Sequence, residues 1–235
     1  MPIKKGNKME DSDTETCIFC KIVNADVNDI PEYDRPFIYN EYFFAIPALG
    51  QFIEGYILIC PRKHIKNLGL LNSEESQYYN EIKQQIHDLL LEEYDRPPVF
   101  FEHGSASYNM RGGSCVDHAH LHAMPLELST PPSFLSEELD GGRIYGNDKM
   151  VELAKAGIPY FSLECSNGAT YLYQAPIIPC QFGRQMIACE IGLDDKWDWR
   201  VYPYRENAAQ TYNRLKNRLS ISKSPIQAYC HHTVG

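Results

Sequence analysis

The sequence predicts an α+β fold, in which an antiparallel sheet carries one long helix and a second set of strands and helices follows. Two observations favour this class. The first half alternates in the order strand, strand, helix, strand, strand, and the second half contains a hairpin signal followed by helical patterns. With 235 residues, of which 43% are apolar, the chain is long enough to bury a substantial core.

The first half supplies the early strands and the long helix. Two runs rich in apolar and aromatic residues, FIYNEYFFAIP (37–47) and YILICP (56–61), predict a meander of strands. A helix should follow, because Asn72 and Glu75 are spaced as a capping box. After this box, apolar residues recur at helical spacing, namely Tyr79, Ile82, Ile86, Leu89 and Leu90.

The next two strands include one with three histidines. VFFEHG (99–104) predicts a strand, and CVDHAHLHAMP (115–125) predicts another in which His118, His120 and His122 alternate with apolar residues. Successive strand side chains point to opposite faces, so the three imidazoles share one face, about 6.5 to 7 Å apart. Such a row predicts either a metal site or a phosphate site with a nucleophile and proton carriers.

Composition divides the chain into four segments. Residues 1–15 form a polar tail, 16–126 a first domain, 127–142 a linker rich in proline and glycine, and 143–235 a C-terminal accessory region with its own strands and helices. The formal net charge of −9 argues against broad, sequence-independent binding to nucleic acid. Neither a secretory signal nor a long apolar run is evident, so we expect a cytoplasmic protein without a membrane span.

Within the accessory region, Asn167-Gly168 predicts a hairpin between YFSLEC and ATYLYQ. Gln181 and Arg184 share one face of a predicted helix, where they are candidates to bind a leaving group or a phosphate. The alternative is that Arg184 pairs with an acidic neighbour such as Asp198. Helical patterns run through two apolar sets, Phe182, Met186, Ile187 and Ile191, and then Tyr212, Leu215 and Leu219.

A second candidate anion site directly precedes the histidines. Gly112 and Gly113 offer backbone N–H groups that an anion can approach closely, and the Ser114 hydroxyl can donate to a phosphate oxygen. Because these donors precede a strand that presents imidazoles, the sequence favours a phosphate site in which nucleophile and oxyanion donors converge.

These motifs resemble a known family. HAHLHAM fits the His-φ-His-φ-His-φ-φ signature of the histidine triad (HIT) superfamily of nucleotide hydrolases and transferases, where φ is apolar. CIFCKI, YILICPRKHI and GGSCVD accompany it in the family's order, over residues 17–125. Further on, CQFGRQMIACEIG and WDWR resemble the C-terminal region of the CwfJ family, splicing-associated relatives of HIT proteins. The resemblance implies a HIT-like antiparallel sheet.

It also implies a mechanism and a substrate class. The central histidine, His120, would attack an α-phosphorus and form a phosphoramidate that water cleaves, with His118 Nδ1 or a nearby carbonyl fixing its tautomer and His122 handling protons. The expected function is a hydrolase of nucleotide conjugates, such as dinucleoside polyphosphates or nucleoside phosphoramidates. Many relatives have an aspartate for the ribose near the position of Ala48, which leaves ribose recognition open. Glu102, where relatives show asparagine, is expected to face away from phosphate.

Two other functions stay open. A nucleotidyltransferase or phosphorylase would use an acceptor other than water, and its expected mark is a glutamine where this chain has His122. A non-enzymatic, zinc-stabilised module for RNA or ribonucleoprotein partners is suggested by the CwfJ-like region, although the negative charge counts against it. Relatives are often dimers, so a homodimer is a further expectation.

A metal site is expected beside the triad. Cys17-x-x-Cys20 has the spacing of half a zinc site, although two reduced cysteines can equally pack as small hydrophobes. Resemblance to zinc-containing family members and to galactose-1-phosphate uridylyltransferase adds His64 and His118 to the set. Such a closed four-ligand site would be structural and would orient the histidine strand.

Overall fold

The computed structural model describes residues 14–105, 118–144, 146–175, 179–193 and 195–222. The fold is α+β, as the sequence predicts. Its helices are α1 (Ile18–Asn24), α2 (Ser73–Tyr94), α3 (Leu135–Glu138), α4 (Asn147–Lys155), α5 (Phe182–Glu190) and α6 (Arg205–Ser222). Its strands are β1 (Ile38–Tyr39), β2 (Phe43–Pro47), β3 (Ile57–Pro61), β4 (Pro98–Gly104), β5 (Leu121–Pro125), β6 (Asp140–Ile144), β7 (Tyr160–Glu164) and β8 (Thr170–Gln174).

All eight strands form one antiparallel sheet in the order β1-β2-β3-β5-β4-β7-β8-β6. The predicted meander is confirmed as β1, β2 and β3, and the predicted hairpin as β7 and β8. Strand β4 pairs with β5 on one edge and with β7 on the other. The C-terminal strands therefore extend the sheet of the first half rather than forming a second one.

Helix α2 confirms the predicted capping box. The Asn72 side chain accepts from the Glu75 backbone N–H, and the Glu75 carboxylate accepts from the Asn72 N–H, both at 2.9 Å. The predicted apolar stripe packs against the sheet, and Ile82, Ile86 and Leu90 are fully buried there. The helix ends at Tyr94, three residues before Pro97.

Part of the segment predicted as a linker, residues 127–142, has regular secondary structure. Helix α3 lies within it, and β6 begins inside it at Asp140. Gly141 and Gly142, interpreted as linker residues, have φ values of 124° and 75° and lie at a register shift of β6 against β8. A glycine pair that forms a β-bulge has the same local signature as a loop, which is why the sequence pattern misplaced it.

Two further predictions from the sequence are a polar N-terminal tail and the absence of a membrane-spanning segment. The polar tail predicted for 1–15 lies outside the described residues except for positions 14 and 15. Among the helices that the structure describes, none combines the length and apolar character that crossing a bilayer requires.

Candidate functional site

The three histidines approach and enter strand β5. His122 lies within the strand, whereas His118 and His120 occupy the extended segment that leads into it, so the predicted strand is shorter than expected. The predicted alternation persists, because the interleaved residues are buried in the core beneath α2, namely Ala119, Leu121 and Ala123. The Ala119 N–H donates to the Ile65 carbonyl at 2.7 Å, which keeps the segment extended beyond the strand.

Four side chains predicted as metal ligands converge at one point. The ligand atoms of Cys17, Cys20, His64 and His118 all lie within 4.8 Å of one another. Cys17 Sγ and Cys20 Sγ lie 3.4 Å and 3.6 Å from His118 Nδ1, and Cys20 Sγ lies 3.3 Å from His64 Nδ1. In a tetrahedral zinc site, bond lengths of about 2.3 Å to sulfur and 2.0 Å to nitrogen place such atoms about 3.5 Å apart. The donor set and its spacing therefore fit zinc.

The His118 ring is oriented for metal binding. Its Nε2 lies 2.8 Å from the Pro61 carbonyl oxygen, which can only accept, so the ring proton is on Nε2 and the Nδ1 lone pair faces the two cysteines. Burial lowers the pKa of His118 to about 4, which keeps the ring neutral. Burial and the neighbouring Cys17 raise the pKa of Cys20 to about 11, so the thiolate form that binds metal depends on a nearby cation.

The His120 ring is held by the backbone of His118. His120 Nδ1 lies 2.7 Å from the His118 carbonyl oxygen, so Nδ1 carries the proton and Nε2 has a free lone pair. Burial lowers the pKa of His120, which favours the neutral form. The sequence left open whether His118 Nδ1 or a backbone carbonyl fixes the His120 tautomer, and in the structure the His118 carbonyl accepts from the ring.

The His122 ring is packed between two aromatic residues. The Tyr56 hydroxyl is hydrogen-bonded to His122 Nδ1, and the Phe101 ring stacks on the imidazole at 4.2 Å with an interplanar angle of 8°. The His120 ring centroid is 4.8 Å away. Burial lowers the pKa of His122 well below its usual value. Sequence reasoning missed Tyr56 and Phe101, because both contacts depend on how β3 and β4 register against β5.

His120 and His122 line a cavity of about 260 Å³ to which both halves of the chain contribute. Apolar side chains from α1 and β2 line one part, and the C-terminal region supplies Gln181, Phe182, Gly183, Arg184 and Trp199. Trp199 and Asp34 also line the cavity, and neither was predicted as a site residue. Burial raises the pKa of the Asp34 carboxyl, and the charge of Arg205 opposes this shift. Trp199 lies in the WDWR motif, which indicated a family resemblance but not a place in the cavity, and Asp34 lies in no motif.

Gln181 and Arg184 line the cavity, but their polar groups are also tied to the protein. The Gln181 amide donates to Asp198 Oδ1 at 2.7 Å and accepts from the Trp199 N–H at 3.1 Å. The Arg184 guanidinium donates to the carbonyls of Trp197, Leu49 and Gly50 at 2.8, 3.1 and 2.5 Å. Asp198 is thus hydrogen-bonded to Gln181, and Arg184 connects the C-terminal region to the loop after β2.

Glu102 and Ala48, the two positions at which the sequence differs from many relatives, lie in different environments. Glu102 is buried away from the cavity lining, where its carboxylate accepts from the Leu68 N–H and the Tyr160 hydroxyl, each at 2.7 Å. Ala48 lines the cavity and brings no polar group to it. The predicted phosphate donors Gly112, Gly113 and Ser114 lie outside the described residues.

Comparisons with known proteins agree with the histidine pattern. Residues 16–134 match the family described as scavenger mRNA decapping enzyme C-term binding. Protein hit of Bacillus subtilis is 28% identical over 114 residues, which cover 47% of this chain and 71% of that protein. A zinc finger CCCH domain-containing protein of Arabidopsis thaliana is 26% identical over 181 residues, 68% of this chain but 28% of that protein. A zinc-bound histidine triad family structure from Mycobacterium smegmatis is 22% identical, with a TM-score of 0.39, and covers 61% of this chain and 94% of that one.

Proposed function

The chain belongs to the family of scavenger mRNA decapping enzyme C-terminal binding domains, a histidine triad family, and on this basis we propose that it hydrolyses nucleotide conjugates through a nucleotidyl-histidine intermediate. The observation that carries the proposal is the 2.7 Å hydrogen bond between His120 Nδ1 and the His118 carbonyl. It leaves His120 Nε2 as an unprotonated nucleophile in a cavity large enough for a nucleotide-sized group.

In the first step, His120 Nε2 attacks the α-phosphorus of the conjugate. A P–N bond forms, and the bond from phosphorus to the leaving group breaks with its electron pair on that group. His122, whose ring lies 4.8 Å from that of His120, gives its Nε2 proton to the leaving group where charge builds up, while its Nδ1 takes the proton of the hydrogen-bonded Tyr56 hydroxyl, so the ring stays neutral. The products are the free leaving group and a nucleotide bound covalently to His120.

In the second step, water attacks the phosphorus of the intermediate. His122 Nε2 takes a proton from the water while the Nδ1 proton returns to Tyr56, and the P–N bond breaks with its electron pair on His120 Nε2. The product is a nucleoside monophosphate. The apolar part of the cavity wall suits a nucleobase, since small-molecule sites are mostly apolar with a few polar groups that fix orientation.

The metal cluster has a supporting part in the proposal. Zinc bound by Cys17, Cys20, His64 and His118 would be closed and structural, and it would stabilise the segment that carries His120. His118 connects the two sites, because its ring belongs to the cluster and its carbonyl accepts from His120.

Several finer features are part of the proposal. Gly112, Gly113 and Ser114 are expected to bind phosphate, with Gln181 and Arg184 near the leaving group. We further propose a cytoplasmic location and a C-terminal extension like that of the CwfJ family. The proposed substrates are dinucleoside polyphosphates or nucleoside phosphoramidates. The match to the plant protein covers 68% of this chain and therefore extends beyond residues 16–134, which supports a shared C-terminal extension.

A substrate panel with a trapping step tests the proposal. Dinucleoside polyphosphates, nucleotide sugars and adenylylated amines are incubated with zinc-loaded protein, and released nucleotide and intact protein mass are measured. We expect a nucleoside monophosphate and a transient nucleotidyl adduct, both lost in His120→Ala. Transfer to an added acceptor in preference to water would indicate a nucleotidyltransferase. No release with any conjugate, together with RNA or ribonucleoprotein binding, would favour the non-enzymatic module.

A further inference from the structure

Tyr56 contacts the proposed proton carrier although no motif marks it as a site residue. The side chain is fully buried, immediately before β3, and its hydroxyl is hydrogen-bonded to His122 Nδ1. A hydroxyl can donate one hydrogen bond and accept others, and a buried O–H group without an acceptor costs free energy, so the direction of this bond depends on where the hydroxyl proton can go.

Among the described residues, His122 Nδ1 is the one hydrogen-bond partner of the Tyr56 hydroxyl, so the hydroxyl proton is satisfied by donation to that nitrogen. Arg184, from the C-terminal region, lies over the Tyr56 ring, with its guanidinium carbon 5.0 Å from the ring centroid, and this contact holds the ring in place. Burial raises the pKa of Tyr56 to about 12, so the hydroxyl retains this proton at neutral pH.

We propose that Tyr56, held by Arg184, is a positioning residue that fixes His122 in the tautomer with its proton on Nε2. Because Nδ1 accepts from Tyr56, the neutral ring carries its proton on the other nitrogen. His120, in contrast, has its proton on Nδ1 and its lone pair on Nε2. The two neighbouring rings therefore present a nucleophile and an acid to one cavity.

The inference gives the C-terminal region a specific task. Arg184 is anchored by three backbone carbonyls, two of them in the loop after β2, so the guanidinium is fixed relative to Tyr56. Burial, and then neighbouring charges that include Arg184, lower the pKa of His122, which keeps the ring neutral and leaves Nδ1 able to accept from Tyr56. The kinetic part of the inference rests on the proposed function, whereas the tautomer does not.

NMR tests the tautomer directly. Long-range ¹H–¹⁵N correlations of histidine-labelled, zinc-loaded protein should show His122 protonated on Nε2 and unprotonated on Nδ1. In Tyr56→Phe, which removes a single oxygen atom, the two tautomers of His122 should become mixed. A His122 ring protonated on Nδ1 in the wild type would overturn the inference whether or not any substrate is turned over.

Single-turnover kinetics test the consequence. With an adenylylated alkylamine, whose leaving group needs a proton, Tyr56→Phe should slow adduct formation by about 10- to 100-fold, part of the effect typical of general acid catalysis, with KM changed less than about twofold. With an adenosine 5′-nitrophenyl phosphate, whose leaving group departs as a stable anion, the loss should be small. Equal losses with both substrates would mean that Tyr56 has only a structural role.

Tyr94→Phe is the matched control. Tyr94 is another tyrosine beside an arginine, with Arg214 5.8 Å from its ring centroid, but it is only partly buried and does not line the cavity. We expect its removal to leave both substrates and the His122 tautomer unchanged. If the wild type turns over neither substrate, the proposed hydrolase function fails, and the NMR result still decides the role of Tyr56.

Discussion

His118 and His120 are joined by a hydrogen bond from the ring of one to the backbone of the other, with His120 Nδ1 2.7 Å from the His118 carbonyl oxygen. The His118 ring meanwhile donates from Nε2 to Pro61 and directs Nδ1 to Cys17 and Cys20. One residue therefore contributes to the metal cluster through its side chain and orients the proposed nucleophile through its backbone. In the proposed mechanism, a closed metal site beside the cavity would therefore affect catalysis through this backbone contact, without touching substrate.

Metal removal should therefore reduce both stability and turnover. We expect about one zinc per chain by elemental analysis of protein purified without chelator. Chelation, or Cys17→Ser, should lower Tm and kcat while changing substrate affinity less, because the ligands hold the segment that leads to His120. Cys165→Ser is the control, since Cys165 is equally buried but lies outside the cluster. If metal-free protein had the same Tm as the protein purified without chelator, the prediction of a structural zinc site would be wrong.

Glu102 should make stability depend on pH. Burial raises its pKa to about 7, against hydrogen bonds from Leu68 and Tyr160 that lower it. The folded state then binds more protons than the unfolded state between about pH 4.5 and 7, so the free energy of unfolding falls as pH rises through this window. The full loss, on the order of 3 kcal/mol, is present above pH 7.

Denaturant unfolding at several pH values checks this expectation. Glu102→Gln keeps an acceptor for the Leu68 N–H and has no charge to bury, so its free energy of unfolding should change less between pH 5 and 7.5 than that of the wild type. Parallel pH dependence for the two proteins would show that Glu102 ionises at its ordinary pKa.

Patterns among neighbouring residues predicted much of the fold, whereas contacts between segments far apart in the sequence could not be predicted from it. The capping box of Asn72 and Glu75 and the Asn167-Gly168 hairpin depend on neighbours within a few residues, and both are present. Strand β6 was missed because Gly141 and Gly142 have the signature of a loop. That β7 would pair with β4 was also not predictable, since the pairing joins segments about 60 residues apart and depends on the whole sheet.

The same distinction applies to the site. Cys17 and Cys20 were predicted as metal ligands from their spacing, whereas His64 and His118 were added by the resemblance to zinc-containing family members. Tyr56 and Trp199 were missed because they reach the cavity from a strand neighbour and from the C-terminal region, where no spacing rule applies. Their place at the cavity depends on the register of the sheet and on the position of α5, which the sequence alone does not give.

Gly183 should be intolerant of a side chain. A Cβ atom there would lie 2.4 Å from the Phe101 ring, which stacks on His122. Gly183→Ala should therefore displace Phe101, destabilise the protein by about 1 to 3 kcal/mol, as overpacking does, and lower kcat. Gly146→Ala is the control, because no atom lies within 4 Å of its Cβ position. Chemical denaturation and steady-state kinetics on both variants would decide, and matching values would show that Phe101 can yield without moving His122.

The role of His122 in the second step can be separated from its role in the first. With a leaving group that needs no proton, the adduct on His120 should form at a similar rate in the wild type and in His122→Gln. Its hydrolysis should slow by roughly 10² to 10⁴, because a glutamine amide can hydrogen-bond to water but cannot take its proton. The adduct should then accumulate in the variant and be detected by intact mass. Equal decay rates of the two adducts would show that another group removes the proton from water.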